Sequence, residues 1–196
     1  MFGYEKMIAV TDRHVFDTYE DPEAAFLQQL EKVAALGPRA IILREKDLDR
    51  RKYLALAEKA VQCSGVRDLL IPHLYPETAL ELGIPRIHLP MRELAALRRS
   101  KPRMIRDFSV IGTSVHSVSD AKEAAEMGAT YIIAGNIYET ACKPGLEGRG
   151  LAYLRDSAES VPVPVYGIGG ISMEKMTEVL AAGAAGGCMM SGFMTL

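Results

Sequence analysis

YGIGGISMEKMTEVLAAGAAGGCMMSG, residues 166–192, sets two short apolar runs on either side of a helix-length stretch. Each run ends in small residues, Gly169-Gly170 and then Ser191-Gly192. Neither run alternates apolar with polar, which is how strands buried on both faces of a parallel sheet read. In the intervening stretch Ser172 is placed as N-cap and Gly183 as the C-terminal stop. Glycines directly behind a strand let backbone N–H groups approach an anion at a helix N-terminus. Two such ends in succession predict a phosphate held by Gly169, Gly170, Ser191 and Gly192.

The same beat runs back to the start of the chain. Apolar runs occupy Met7–Thr11, Ala40–Leu43, Leu69–Pro72, Arg86–Leu89, Val110–Val115 and Tyr131–Gly135, followed by Val163–Ile168 and Gly187–Met190. Amphipathic stretches separate them. In PEAAFLQQLEKVAALG, Phe26, Leu27, Leu30, Val33 and Ala34 share one side, Pro22 suits the first turn and Gly37 the end. SDAKEAAEMGA repeats the plan with Ser119 as N-cap and Gly128 as stop, whereas helices near Glu77–Leu82 and Arg92–Arg99 look short. Eight strand–helix units in 196 residues point to a compact (β/α)8 TIM barrel, one domain over residues 1–196. The chain stops soon after the eighth run, so the final helix is short or truncated. An open doubly wound sheet with one run misassigned is the alternative.

Composition narrows the function classes. With 48% hydrophobic and 24% charged residues the chain suits a soluble globular protein. A net charge of −2 supplies no basic field for nucleic acid or an anionic membrane, and neither is expected as a partner. Cys63, Cys142 and Cys188 are isolated and odd in number, which argues against a disulfide framework or structural zinc. The N-terminal apolar run is too short for a signal peptide, and no 18-residue apolar stretch exists. A cytoplasmic location is expected.

Barrel chemistry sits at the C-terminal ends of the strands, so polar residues just behind each apolar run are the candidates. Thr11, Asp12 and Arg13 follow the first, and Arg44-Glu45-Lys46 the second. The latter reads either as a loop of local ion pairs or as an anion clamp with Arg44 and Lys46 on one side. His73 and His88 fit packed histidines as well as functional ones. In IGTSVHS, residues 111–117, Ser114 and His116 point one way and Thr113, Val115 and Ser117 the other. A histidine at the mouth can exchange protons near neutral pH, with its orienting partner drawn from another strand. NIYETACKPGLEGRG, residues 136–150, is long for a connection; Lys143 and Arg149 could reach an anion, or pair with Glu139 and Glu147.

Together, the REK segment, GTSVHS, the ET-x-x-K loop and the IGGI and SG ends resemble the thiamine phosphate synthase/TenI superfamily, in order and over nearly the whole chain. The synthase branch joins a thiazole phosphate to a pyrimidine pyrophosphate and needs Mg2+ to neutralise the leaving group. Three of its polar positions differ here. Ile42 stands where it carries Gln, Pro72 and His73 where it carries Asn-Asp, and His88-Leu89-Pro90-Met91-Arg92-Glu93 where it reads H-L-G-Q-x-D. Only Glu93 could replace the metal-binding Asp.

ETACKPGLEGRG is similar to the loop of the TenI branch, whose bacterial members are thiazole tautomerases. That likeness implies an isomerase with no metal and no cofactor, which aromatises a carboxythiazole phosphate. It makes His116 the catalytic residue, Arg44, Lys46, Ser114 and Lys143 the substrate-binding ones, and implies a homodimer. The alternatives are the synthase itself, a transferase, or a non-catalytic regulatory protein that binds thiazole phosphate.

Overall fold

In the computed structural model, which describes residues 3–140 and 145–196, strands and helices alternate as the apolar runs predict. The strands are β1 (Met7–Val10), β2 (Ala40–Leu43), β3 (Leu70–Pro72), β4 (Arg86–Pro90), β5 (Val110–Val115), β6 (Tyr131–Gly135), β7 (Val165–Ile168) and β8 (Gly186–Met189). Every ladder is parallel, and β1 pairs with β8 through Met7↔Gly187, Ile8↔Cys188 and Ala9↔Met189. The sheet therefore curls into a nearly closed barrel. Its loose seam lies between β3 and β4, joined by one bridge, His73↔His88, and by Leu74 N–H donating to the His88 carbonyl at 3.1 Å. Short β3 ends on Pro72, which has no N–H for a longer ladder.

Two-residue periodicity divides the core into two layers. Ile8, Val10, Ala40, Ile42, Ile71, Tyr131, Ile133, Tyr166 and Cys188 pack inside the barrel. Met7, Ala9, Ile41, Leu43, Leu70 and their equivalents pack outward against the helices. Interior space is tight: a Cβ on Gly112 would lie 2.0 Å from Cζ of Tyr131. That glycine makes room for the Tyr131 ring.

The helices are α1 (Pro22–Ala35), α2 (Arg50–Ala60), α3 (Pro76–Glu81), α4 (Met91–Ser100), α5 (Val118–Glu126), α6 (Gly150–Glu159), α7 (Met176–Ala181) and α8 (Ser191–Met194). Pro22 opens α1 behind an Asp21 cap, and Gly37, Gly128 and Gly183 take positive φ just past their helices. Two caps differ from expectation. Ser117, not Ser119, accepts the Asp120 N–H and caps α5. Ser172 precedes a 3-10 turn, Met173–Lys175, so α7 starts later than the apolar period suggests. The expected short last helix is four residues long. Phe193 and Met194 bury themselves there, and Gln29 of α1 donates to the Phe193 carbonyl at 2.7 Å, which anchors the end of the chain. Among the described residues no helix is long and apolar enough to cross a membrane.

Candidate active site

At the mouth the REK segment splits into two roles. Glu45 is 2% exposed and accepts from the Thr11 hydroxyl, from Arg13 N–H at 3.2 Å and from the Arg13 guanidinium at 3.5 Å. Thr11 in turn accepts the Arg44 N–H at 2.9 Å, which ties β1 to the end of β2. Arg13 also grips Asp47 at 2.8 Å and holds its carboxyl down at about 2. Burial pushes the Glu45 carboxyl above its ordinary value, against the pull of Thr11 and Arg13. The ion-pair reading therefore holds for Glu45, while half-buried Arg44 and exposed Lys46 stand on either side of it.

Their charges reach the next strand end. Burial first, then the Arg44 and Lys46 cations, hold the His73 imidazole at about 3. His73 stacks on His88 with ring centroids 5.9 Å apart and planes 19° from parallel. His88, 3% exposed, is bracketed by Tyr131 Oη on Nδ1 and Ser114 Oγ on Nε2, each at 2.9 Å. Burial, His73 and Arg44 keep it neutral. Ser114 is thus fixed from beneath by a buried imidazole. The His73 N–H donates to Tyr53 Oη at 2.7 Å, and that hydroxyl donates to the Leu43 carbonyl at 2.7 Å.

A pH dependence follows from His73. Its folded pKa lies below the unfolded value of about 6.5, so the folded state binds fewer protons between the two. The stability it contributes is fully present above about pH 6.5 and is lost as pH falls towards about 3. Melting temperature should decline across that window, and His73→Gln should flatten the decline. A wild-type profile that stays flat from pH 6.5 to pH 4 would contradict a buried neutral imidazole.

His116 is exposed at the end of β5, as its place in GTSVHS predicts. Its orienting partner comes from a neighbouring strand: Nδ1 donates to the Gly135 carbonyl of β6 at 2.9 Å. Nε2 is the nitrogen then available to a ligand as acceptor. The Asp120 carboxylate accepts the His116 backbone N–H at 3.1 Å and fixes the turn into α5.

The long loop after β6 is strapped to β7. Ile137 N–H donates to the Ile168 carbonyl at 2.8 Å, and Tyr138 N–H to the Gly169 carbonyl at 3.0 Å. Asn136, 3% exposed, donates through Nδ2 to the carbonyls of Tyr138, Leu146 and Glu147 and so holds the loop's two ends together. Gly169 and Gly170 have φ of +97° and +63°. A Cβ on Gly169 would fall 2.5 Å from Asn136 Cβ, and one on Gly170 2.7 Å from the Glu139 carbonyl oxygen. Lys175 donates to the Gly170 carbonyl at 2.8 Å and covers the Tyr138 ring at 4.1 Å. Because Ile168 pairs with Cys188, the ends of β7 and β8 are neighbours, and exposed Ser191 and Gly192 begin α8 beside the two glycines. The first N–H groups of a helix have no acceptor within it.

These positions bring Arg44, Lys46, Ser114, His116, Gly169, Gly170, Ser191 and Gly192 to one end of the barrel. Lys143 and Cys142 lie outside the described residues. Reading strand ends overlooked the work of Glu45, Tyr131 and Asn136, which support the mouth from below. Tyr131 offered a signal, as a polar-tipped residue on the inward phase of β6. Two of the three partners of Asn136 are ten and eleven residues away, and its role left none.

A divalent metal fits this mouth poorly. Among the described residues no three His, Cys, Asp or Glu side chains form a group able to hold one. Glu93 is drawn to Arg92 at 2.9 Å, and neutral His73 stands at the β3 end.

Comparison with known proteins corrects the activity expected above. A thiamine-phosphate synthase of Thermus thermophilus is 36% identical over 166 residues, 82% of this chain and 77% of its own. That of Clostridium acetobutylicum is 28% identical over 191 residues, 97% and 87%. A solved thiamine phosphate pyrophosphorylase from Pyrococcus furiosus superposes with a TM-score of 0.78 at 25% identity, covering 99% of this chain and 89% of that one. These relatives carry the name of a transferase, not of an isomerase, and the expected thiazole tautomerase is withdrawn. The reason is physical as well as nominal. The tautomerase reading leaned on the polar positions that differ from the synthase pattern and on one loop, part of which lies outside the described residues, and a histidine at the barrel mouth serves either chemistry. Residues 8–193 match the family described as thiamine monophosphate synthase, TMP-TENI, so nearly all of the barrel is accounted for, and the chain belongs to that family.

Proposed function

We propose that this protein is a transferase of the thiamine-phosphate synthase type, acting on phosphorylated small molecules. The observation that carries the reading is the 36% identity to a thiamine-phosphate synthase over 166 residues. In that reaction a bond forms between a thiazole phosphate and a pyrimidine while the bond to diphosphate breaks. Gly169, Gly170, Ser191 and Gly192 would hold the thiazole's phosphate through backbone N–H groups. Arg44, Lys46, Ser114 and Lys143 would face the second, more anionic partner. His116, held by the Gly135 carbonyl, would touch the substrates through Nε2. One domain over residues 1–196, a cytoplasmic location and a homodimer belong to the same reading.

The test is direct. Purified protein given thiazole phosphate and the pyrimidine diphosphate should release pyrophosphate and thiamine phosphate in equal amounts. Binding of thiazole phosphate without turnover would instead favour a regulatory barrel.

A further inference from the structure

The carboxylates around the β1–β4 end of the mouth all have other work. Asp12 accepts the His14 N–H at 3.2 Å and Asp49 the Lys52 N–H at 2.9 Å. Glu45 is buried under Thr11 and Arg13, Asp47 is gripped by Arg13, and Glu77 is paired with Lys101. Glu93, the one acid at the place where the synthase branch carries its metal-binding Asp, contacts Arg92 at 2.9 Å. Mg2+ on a diphosphate is ordinarily held by one or two carboxylates plus phosphate oxygens. What this mouth offers a diphosphate is cationic. Arg44 follows β2 directly with its N–H fixed on Thr11, and Lys46 lies two residues on, with buried Glu45 as the staple between them.

We infer that a diphosphate entering this mouth is neutralised by Arg44 and Lys46 and not by a divalent cation bridged to protein carboxylates. The inference rests on the transferase reading for the source of the diphosphate. The incoming thiazole supplies the electron pair of the new bond, and the pair of the breaking bond departs on the diphosphate oxygen. The step needs no oxidant and no external proton. It needs positive charge at the leaving oxygen, which the guanidinium of Arg44 and the ammonium of Lys46, two residues apart behind β2, supply. His73 supports the arrangement by remaining neutral, since a carboxylate in its place would compete for both cations.

Inorganic pyrophosphate titrated calorimetrically into the full chain tests this, once in EDTA and once in excess Mg2+. The dissociation constant should agree within about twofold between the two, and Arg44→Gln and Lys46→Gln should each weaken it about 10-fold in both. Glu93→Gln should change neither value. Melting temperatures of the variants should match wild type, so that lost binding is not lost fold. Binding that requires Mg2+, a Glu93→Gln loss seen only with Mg2+, binding indifferent to both cationic substitutions, or no binding would each overturn the inference. Failure of the transferase reading looks different. EDTA-insensitive pyrophosphate binding with no thiamine phosphate formed rejects that reading alone. Product formation abolished by EDTA keeps it and overturns the inference.

Discussion

Gly170→Ala is expected to damage both stability and phosphate binding, out of proportion to one methyl group. The backbone there has φ +63°, a region that costs an L-residue about 1–2 kcal/mol. The added Cβ would also stand 2.7 Å from the Glu139 carbonyl oxygen and 2.8 Å from Tyr138 Cβ, so backbone has to move. The piece that moves is the strap that Tyr138 forms with Gly169 and Lys175. Overpacking of this kind adds about 1–3 kcal/mol, and melting should fall by roughly 5–10 °C. The stabilisation conferred by added inorganic phosphate should largely vanish. Gly145→Ala is the control, with φ +74° and nothing within 4 Å of its Cβ, so it bears the backbone cost alone. Equal melting temperatures for the two variants, or an undiminished phosphate effect in Gly170→Ala, would refute the close-approach argument.

Glu45→Ala should be the most destabilising change among the charged residues of the mouth, at about 2–4 kcal/mol in chemical denaturation. Three donors lose their acceptor: the Thr11 hydroxyl, the Arg13 N–H and one guanidinium N–H. Thr11 also holds the Arg44 backbone, so pyrophosphate affinity should fall with stability. Glu45→Gln should fall between the two. Its amide oxygen still accepts from Thr11 and escapes the desolvation that raises the carboxyl's pKa, but its NH2 faces the donors of Arg13. If Glu45→Ala unfolds at the wild-type denaturant concentration, the buried staple is not what orders the REK segment.

Much of the barrel was legible because burial on both faces writes itself into composition. Ala40–Leu43 and Val110–Val115 are strands with the bounds their apolar runs give. Caps were less legible, since Ser117 and Ser119 are equivalent as residue types and only the course of the backbone chose the first. At the site, Ser114 and His116 were found from strand phase. Whether Glu45 was solvated or buried could not be read from REK, because its partners Thr11 and Arg13 come from the segment behind β1.

By itself the sequence determined the strand–helix order, the glycines at the ends of β7 and β8, and which side chains of β5 share a face, since each follows from local period and backbone freedom. The tertiary structure decided which charged and titratable groups of the mouth are buried and what holds them there. Buried Glu45 accepts from Arg13 and Thr11, His73 and His88 stay neutral, and Gly135 turns the imidazole of His116. Each of those outcomes depends on desolvation and on partners in distant segments, quantities that exist only once the barrel has nearly closed.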